Sequence, residues 1–173
     1  MKIIEGLKKL KDLARKANDI KDKIHKNCAD LESDTPAYET AELQFYQVAE
    51  WIQAHHDIMK EIESLRLSIQ TTNLATMVTI EVADGVRVTK SIAAWIHRRK
   101  DLANTEMSVW AGMTNRGLQP KAYKVDGAEG VTVANVRKYY NQKVRDAKVE
   151  EYTSEPSRID GSLEVVNAVT DLI

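Results

Sequence analysis

Apolar residues in the first seventy positions follow two helical repeats that are separated by one interruption. In each repeat the stripe residues, most of them apolar or small, alternate at spacings of three and four, which is typical of a helix that keeps one stripe against a partner helix. Only Lys21 interrupts the first repeat. At the interruption we predict a turn, with Thr35 as the N-cap of the second helix and Pro36 at its first helical position. The predicted stripes are Ile3, Leu7, Leu10, Ala14, Ala17, Ile24, Cys28 and Leu31 in the first helix, and Tyr38, Ala41, Phe45, Val48, Ile52, His55, Met59, Ile62, Arg66 and Ile69 in the second.

The charges of the two predicted helices are opposite and favour their pairing. Residues 1–28 carry nine Lys or Arg and four Asp or Glu, whereas residues 29–64 carry nine Asp or Glu and one Lys. Because the connection is short, the sequence predicts an antiparallel helical hairpin over residues 1–73 that resembles a coiled coil. Trp51, Ile58 and Leu65 lie beside the second stripe and widen its apolar face. We therefore expect a further layer, supplied by the C-terminal helix or by another copy of the chain.

After residue 73 the hydrophobic period changes from helical to alternating. Val78, Ile80 and Val82 alternate with polar residues, and Asp84–Gly85 separates them from a second alternating run. This pattern predicts a β-hairpin near residues 77–88, with positive φ at both turn positions. A third helix is predicted over residues 89–117, with Thr89 as its cap and Gly117 just after its end.

The last part of the chain, residues 118–173, contains weaker signals. Residues 123–127 and 130–133 form either a second short hairpin or an irregular loop. A helix is predicted from about residue 134 to 151, then a break at residues 153–156, then a short helix at 158–169. The predicted fold is a single, mainly α domain spanning residues 1–173, in which the helical hairpin packs with the third and C-terminal helices.

Composition excludes several classes of protein. The 173 residues have a net charge of −1 and a pI of about 6.4, which argues against a dedicated nucleic-acid-binding protein. Cys28 is the single cysteine, so an intrachain disulfide is excluded. The sequence has no apolar run of 18 residues and no visible signal peptide. We expect a cytoplasmic protein, or a virion protein if it is phage-encoded, without a membrane as partner.

Five short parts of the chain carry a family resemblance: residues 68–76, Gly85, and residues 88–93, 98–102 and 159–172. In this order they resemble the septicolysin-like family of small bacterial and phage-borne proteins. The resemblance implies a helical hairpin with a third helix, a β-hairpin and a C-terminal helix, and the haemolysin-like family name implies a membrane-active or pore-forming protein. The chain departs from the family pattern at Ala168, where relatives have Trp, and at Pro156 and Gly161, which interrupt a last helix that is continuous in relatives.

One cluster of basic residues is a candidate binding site. It gives residues 87–100 a local charge of +5, which is suited to phosphate or nucleic-acid contact. The alternative is ion pairing with the acidic second helix, which we favour because that helix carries a surplus of the opposite charge. Arg99 and Glu106, seven positions apart, are candidates for fixing register against a neighbouring helix. The basic patch consists of Arg87, Lys90, Arg98, Arg99 and Lys100.

The three tryptophans and two adjacent histidines complete the candidates. Each tryptophan is either an interface anchor or a core residue, and helical spacing favours the core for at least two. His55 and His56 point about 100° apart on a helix, so packing is favoured over metal binding. The chain contains none of the common catalytic, phosphate-loop or paired-cysteine motifs. The predicted interface residues are Trp51, Ile58, Leu65, Arg99, Glu106 and Trp110.

These observations favour a non-enzymatic, self-associating helical protein with a structural or assembly role. A phage head or tail accessory protein is one instance, whose partners would be further copies of the chain and other virion or assembly proteins. The alternatives are a membrane-active protein and a nucleic-acid-binding accessory protein that uses the basic patch. No catalytic residue, cofactor or metal is predicted.

Overall fold

The computed structural model describes residues 1–123 and 132–173. It confirms the predicted fold class, because the chain is mainly helical, with a long N-terminal helix pair and a small antiparallel β-hairpin. The chain divides into two compact units. The first unit is Met1–Thr76 with Glu164–Ile173, and the second is Met77–Leu163.

The helix pair of the first unit consists of α1 (Ile3–Asn27) and α2 (Ala41–Ala75), which pack against each other. The predicted start of the second helix at Pro36 is wrong. Glu39 has a φ of 66°, which a helix cannot contain, so α2 begins only after it. Thr40, not Thr35, is the N-cap, and its hydroxyl accepts a hydrogen bond of 3.2 Å from the backbone N–H of Leu43.

The predicted repeat has the correct period, but half of its positions are wrong. In α1 the buried or half-buried residues are Ile3, Gly6, Leu10, Asp12, Leu13, Ala17, Ile20, Ile24 and Asn27, whereas Leu7 and Ala14, and Cys28 and Leu31 beyond the end of α1, are exposed. In α2 they include Val48, Trp51, His55, Ile58, Ile62, Leu65, Ile69 and Thr72, whereas Phe45, Ile52 and Met59 are exposed. The exposed stripe has the same heptad spacing and is apolar or small except at Lys21 and Arg66, and only packing decides which stripe faces the partner helix.

The C-terminal residues complete the first unit beside the start of α1 and the end of α2. The backbone N–H of Ile3 donates to the carbonyl of Thr170 at 3.0 Å, and that of Leu172 donates to the carbonyl of Met1 at 2.8 Å. The hydroxyl of Thr72, which is fully buried, accepts from the N–H of Ile173 at 2.9 Å. The further layer expected over the hairpin is thus supplied at this end by the C-terminal segment. The core of the pair is Leu13, Ile62, Leu65 and Ile69, with Leu10, Ile58 and Leu172 packed against it.

The second unit begins with the predicted hairpin, in which β1 (Met77–Ala83) pairs antiparallel with β2 (Val86–Ser91). Val78, Ile80 and Val82 are buried, as their alternation predicts. The prediction of positive φ at both turn positions is wrong. Gly85 has a φ of 77°, whereas Asp84 is not among the positive-φ residues of the described chain. The register is irregular between Glu81 and Ala83, and this irregularity accommodates a turn with one left-handed residue.

The predicted third helix consists of three segments that run end to end. These are α3 (Ile92–His97), a π-helical segment (Arg98–Leu102) and α4 (Ala103–Ala111). The N-cap is Ser91 rather than Thr89, because its hydroxyl accepts from the N–H of Ala94 at 3.2 Å. The predicted end near residue 116 is also wrong. Gly112 caps the helix, and Arg116 and Gly117, with φ of 57° and 72°, form a separate turn.

The last elements are a second hairpin and one long helix. The short strands β3 (Lys121–Tyr123) and β4 (Thr132–Ala134) pair antiparallel, so of the two alternatives the hairpin forms; the rest of the predicted segment, residues 124–131, lies outside the described residues. The predicted helices at 134–151 and 158–169 are in fact one helix, α5 (Gln142–Val169), which includes Pro156. Buried Glu155, Ile159 and Leu163 recur on one face of α5 across the predicted break and hold it helical.

Candidate functional site

Arg98 of the predicted basic patch is at the centre of a buried ion pair. Its Nε and Nη2 atoms donate to Oε1 and Oε2 of Glu155 at 2.7 and 2.8 Å, and the two side chains are only 12% and 4% exposed. The guanidinium also contacts Glu106 at 2.9 Å and lies 5.4 Å from the ring centroid of Tyr152. The hydrogen bond from Arg98 lowers the pKa of Glu106, and the two carboxylates raise the pKa of Arg98. Arg98 is therefore not available for an external phosphate.

Three other members of the patch also have partners inside the second unit. Arg99 forms an ion pair with Asp160 of α5 at 2.6 Å, and Arg87 contacts Glu81 across the first hairpin at 3.4 Å. The ammonium of Lys90 lies 5.3 Å from the ring centroid of Trp95. We predicted that these residues pair with the acidic second helix. That prediction is wrong, because the carboxylates that they contact belong to the second unit. Opposite net charge in the sequence does not specify which carboxylates the fold brings within reach. Lys100 is exposed.

Most of the predicted interface residues have partners within their own unit. Leu65 is buried and Ile58 half-buried in the core of the helix pair, so both are packing residues of that core. Trp51 is half-buried and meets the ring of Tyr38 edge to face, with centroids 5.7 Å apart. Trp110 is half-buried, and its carbonyl accepts from Nε of Arg145 at 3.1 Å.

Trp95 is the best-packed aromatic residue of the second unit. It is completely buried, and its indole N–H donates to the carbonyl of Val78 at 2.9 Å. Thus one of the three tryptophans is a core residue, whereas Trp51 and Trp110 lie at the boundary between core and surface.

The exposed stripe of the helix pair forms an apolar edge, which we define as Leu7 of α1 and its C-cap Cys28 with Phe45, Ile52 and Met59 of α2. In each heptad of both helices two positions face the other helix, and each residue of the edge directly follows the second of them. In an antiparallel pair, the positions that follow it lie on the same side of the helix contact. Cys28 and Phe45 accordingly line one groove. The α2 members are 74%, 55% and 44% exposed, so large apolar side chains remain in water along two heptads.

Contacts at two levels of the hairpin define the pairing of its helices. Nε2 of Gln44 donates to the carbonyl of Asn27 at 2.7 Å, and Nζ of Lys9 contacts Oε1 of Glu61 at 2.6 Å. These contacts join a basic and an acidic helix along their length. The apolar edge therefore lies on a scaffold whose two helices carry opposite charge.

The described residues contain neither a cluster of metal ligands nor a membrane-spanning helix. His55 is half-buried in the helix pair and His56 is exposed. Within residues 1–123 and 132–173, no three His, Cys, Asp or Glu side chains gather as a metal site would require. In the same ranges no helix combines the length and apolarity needed to cross a bilayer.

The fold and the apolar edge define a mainly helical protein built on a long antiparallel hairpin. A solved structure, the crystal structure of a functionally unknown conserved protein from Corynebacterium diphtheriae, is similar to this chain with a TM-score of 0.56 and 16% sequence identity. The match covers 100% of this chain and 99% of that one, and it shows a shared fold. No protein-family model matches the chain, and no curated protein matches it.

Proposed function

We propose that this protein is a non-enzymatic, self-associating helical protein with a structural or assembly role. The observation that carries the proposal is the apolar edge, in which Phe45, Ile52 and Met59 are exposed at seven-residue intervals. A second helix that packs along α2 contacts all three, because heptad spacing keeps them on one side of a supercoiled pair. The occupant that we propose is the same edge of a second copy.

Covering this edge returns a free energy of the same order as the entropic cost of association. Burying a side chain of the size of Phe, Ile or Met completely is worth about 1.5–3 kcal/mol. Each of the three α2 side chains is roughly half to three-quarters exposed, and a symmetric dimer counts every residue twice. The summed gain is several kcal/mol before the entropy of association is subtracted.

Charge complementarity favours a second copy over an unrelated partner. Helix α1 (Ile3–Asn27) has a net charge of +4 and helix α2 (Ala41–Ala75) has −3. In a four-helix arrangement of two hairpins, each α1 can lie beside the partner's α2, so every contact between neighbouring helices joins opposite charges. The alternative arrangement, which places like helices side by side, is disfavoured by repulsion.

The proposal is tested by light scattering coupled to size exclusion over a range of protein and salt concentrations. We expect a dimer, and we expect Ile52→Gln to shift it toward monomer by about tenfold or more in the dissociation constant, because one polar residue per copy interrupts the buried stripe. Leu67→Gln is the matched control, since Leu67 lies on α2 with similar exposure but outside the apolar edge. A monomer at all concentrations, or equal effects of the two variants, would refute the proposal.

Cys28 supplies an independent measurement of the same interface. It is the single cysteine and is exposed in one copy of the chain, at the end of the apolar edge. In a dimer of the proposed kind its thiol is covered, so the rate of its reaction with a thiol reagent should fall as protein concentration rises. The Ile52→Gln variant should react at the monomer rate at every concentration.

The septicolysin-like resemblance adds two more specific roles, and each rests on that resemblance alone. A phage head or tail accessory protein is an assembly role of the proposed class. A membrane-active role is tested by dye release from liposomes. If the wild-type chain released the dye and the Ile52→Gln variant did not, the apolar edge would be assigned to membrane contact instead of self-association.

A further inference from the structure

A second basic part of the second unit surrounds the second β-hairpin. Residues 112–145 contain seven Lys or Arg and two Asp or Glu, a net charge of +5. The chain as a whole has a net charge of −1, so this concentration is hidden in the total. It is also separate from the predicted basic patch, most of whose members have partners of their own.

A cleft of about 380 Å³ brings part of this charge together. One wall is the turn that follows α4, and the other is the segment between β4 and α5. Its lining combines cations with aromatic rings, a combination that suits an anionic ligand with flat apolar groups. The lining residues that matter here are Arg116, Arg137, Lys138, Tyr139 and Tyr140.

The turn that carries Arg116 is held by local hydrogen bonds. The N–H of Arg116 donates to the hydroxyl of Thr114 at 3.1 Å, and the N–H of Gly117 donates to Oδ1 of Asn115 at 3.2 Å. Arg116 has a φ of 57°, a left-handed conformation that is uncommon for a residue with a long side chain. The two hydrogen bonds therefore fix the backbone conformation of the turn from which the Arg116 side chain reaches the cleft.

The cations of the cleft have few carboxylate partners. Arg145 forms an ion pair with Asp146 and donates to the carbonyls of Trp110 and Ala111, so it serves the structure. Lys138 donates to the neutral amide of Gln142 at 3.0 Å. Within residues 1–123 and 132–173, no carboxylate lies within 4.0 Å of the charged groups of Arg116 or Arg137. Among the described residues, the positive charges of Arg116 and Arg137 therefore have no carboxylate partner, which suits an external anion.

Tyr139 supplies the feature that distinguishes one anion from another. Its side chain is 89% exposed, the highest value among the large hydrophobic residues that the structure leaves in water. The neighbouring ring of Tyr140 is half-buried, with Nζ of Lys138 at 5.8 Å from its centroid. A ring that projects into water beside cations is the arrangement used to stack an unpaired base while Lys and Arg bind the flanking phosphates.

We propose that this cleft binds single-stranded nucleic acid, with Arg116 and Arg137 on phosphates and a base stacked on Tyr139. Single strands are favoured over duplex because a base must be unstacked to reach the ring. An acidic protein segment matches the charge but has no flat group that requires an exposed tyrosine. The proposal is independent of self-association through the apolar edge.

The test measures binding of the full chain to a fluorescein-labelled oligodeoxythymidine by fluorescence anisotropy. We expect the logarithm of the association constant to fall linearly with the logarithm of salt concentration, as phosphate contacts release counterions. Arg137→Glu should raise the dissociation constant by about tenfold or more and reduce the salt slope by about 0.7. Lys100→Glu, an equal charge change at another exposed site of the second unit, should leave both nearly unchanged.

Stacking is tested separately at Tyr139. Tyr139→Ala should raise the dissociation constant about 5- to 100-fold, whereas Tyr139→Phe, which keeps the ring, should stay near the wild-type value. Because Tyr139 and Arg137 are exposed, these variants should fold, and circular dichroism checks this.

Four results would overturn the proposal. The first is absence of binding at low salt, and the second is an equal loss in Arg137→Glu and Lys100→Glu. The third is an equal loss in the two Tyr139 variants. The last is competition by polyglutamate that matches competition by unlabelled oligonucleotide, which would identify an acidic protein segment as the ligand. An oligouridine that binds as well as oligodeoxythymidine supports the proposal, since both present phosphates and unpaired bases.

Discussion

Removing the carboxylate of Glu155 tests whether the buried ion pair holds the second unit together. In the Glu155→Ala variant, Arg98 loses two charge-assisted hydrogen bonds, of 2.7 and 2.8 Å, while its side chain stays 88% buried. Breaking a buried pair on one side usually costs about 3–5 kcal/mol, because the remaining charge has lost its hydration and its partner. Glu106 still contacts the guanidinium, but its side chain is about half exposed and compensates weakly. We therefore expect a loss of about 3 kcal/mol.

The double variant Arg98→Met/Glu155→Leu separates the cost of an unpaired charge from the value of the pair. Replacing both partners by apolar side chains of similar size is often neutral or stabilising. We expect the double variant to lie within about 1.5 kcal/mol of the wild type, and above Glu155→Ala in stability. With the single variants Arg98→Met and Glu155→Leu added, the double-mutant cycle should give a coupling energy between the two residues of about 2 kcal/mol or more.

The assay is urea unfolding followed by circular dichroism and by tryptophan fluorescence. Trp95 is completely buried in the same unit as the ion pair, so its emission reports on that unit. The reasoning would be refuted by a Glu155→Ala variant that loses less than about 1 kcal/mol, which is within the range of an exposed pair. It would also be refuted if the double variant lost as much stability as Glu155→Ala does.

Three further predictions concern the backbone and the C-terminus. Pro156→Ala should stabilise the protein by about 1–3 kcal/mol, measured by urea unfolding, because proline lacks the N–H that an interior helical residue donates; a decrease would show that α5 needs the proline. Gly161→Ala should stabilise the protein by about 0.5–1 kcal/mol in the same assay, since the added Cβ meets no atom within 4 Å. Gly85→Ala should destabilise it by about 1 kcal/mol, because Gly85 has a φ of +77°. Equal shifts in the two variants would contradict this reasoning. Asp171→Asn should lower the denaturation midpoint at neutral pH, because the hydrogen bond from Lys2 lowers the pKa of Asp171 below 3.8. A folded-state pKa below the unfolded one stabilises above the unfolded value and is lost as pH falls, so wild type and variant should converge in acid, and a difference that persists at low pH would exclude this cause.

Local patterns in the sequence were sufficient for the type of most elements. The heptad spacing predicted the two long helices, and the alternation of Val78, Ile80 and Val82 predicted a buried strand. These signals succeed because the periods of helix and strand are properties of the backbone, and each residue needs only its neighbours to express them. The boundaries were less accurate. Capping by Thr40 and Ser91 replaced that expected from Thr35 and Thr89, since several residues near each end could serve as caps.

The sequence did not predict which carboxylates pair with the basic residues. Net charge predicted that the patch around Arg98 would find acidic partners, but not that Glu106, Glu155 and Asp160 would supply them. The cleft around Tyr139 was not predicted at all, although its surplus of Lys and Arg is visible in a count of residues 112–145. A count of this kind gives the charge of a segment, whereas a site requires that segments distant in sequence meet.

What the sequence by itself determined about this protein is its two long helices and its first β-hairpin, their periods and the opposite charges of α1 and α2. What only the tertiary structure decided is which face of each element is buried. Leu7 and Gly6, or Ile52 and Trp51, are adjacent positions that serve equally well in a heptad read from sequence. The choice between them depends on how two helices pack, and the continuity of α5 through Pro156 depends on the face that carries Ile159 and Leu163. Burial is a property of pairs of elements, so it is decided only when the elements meet.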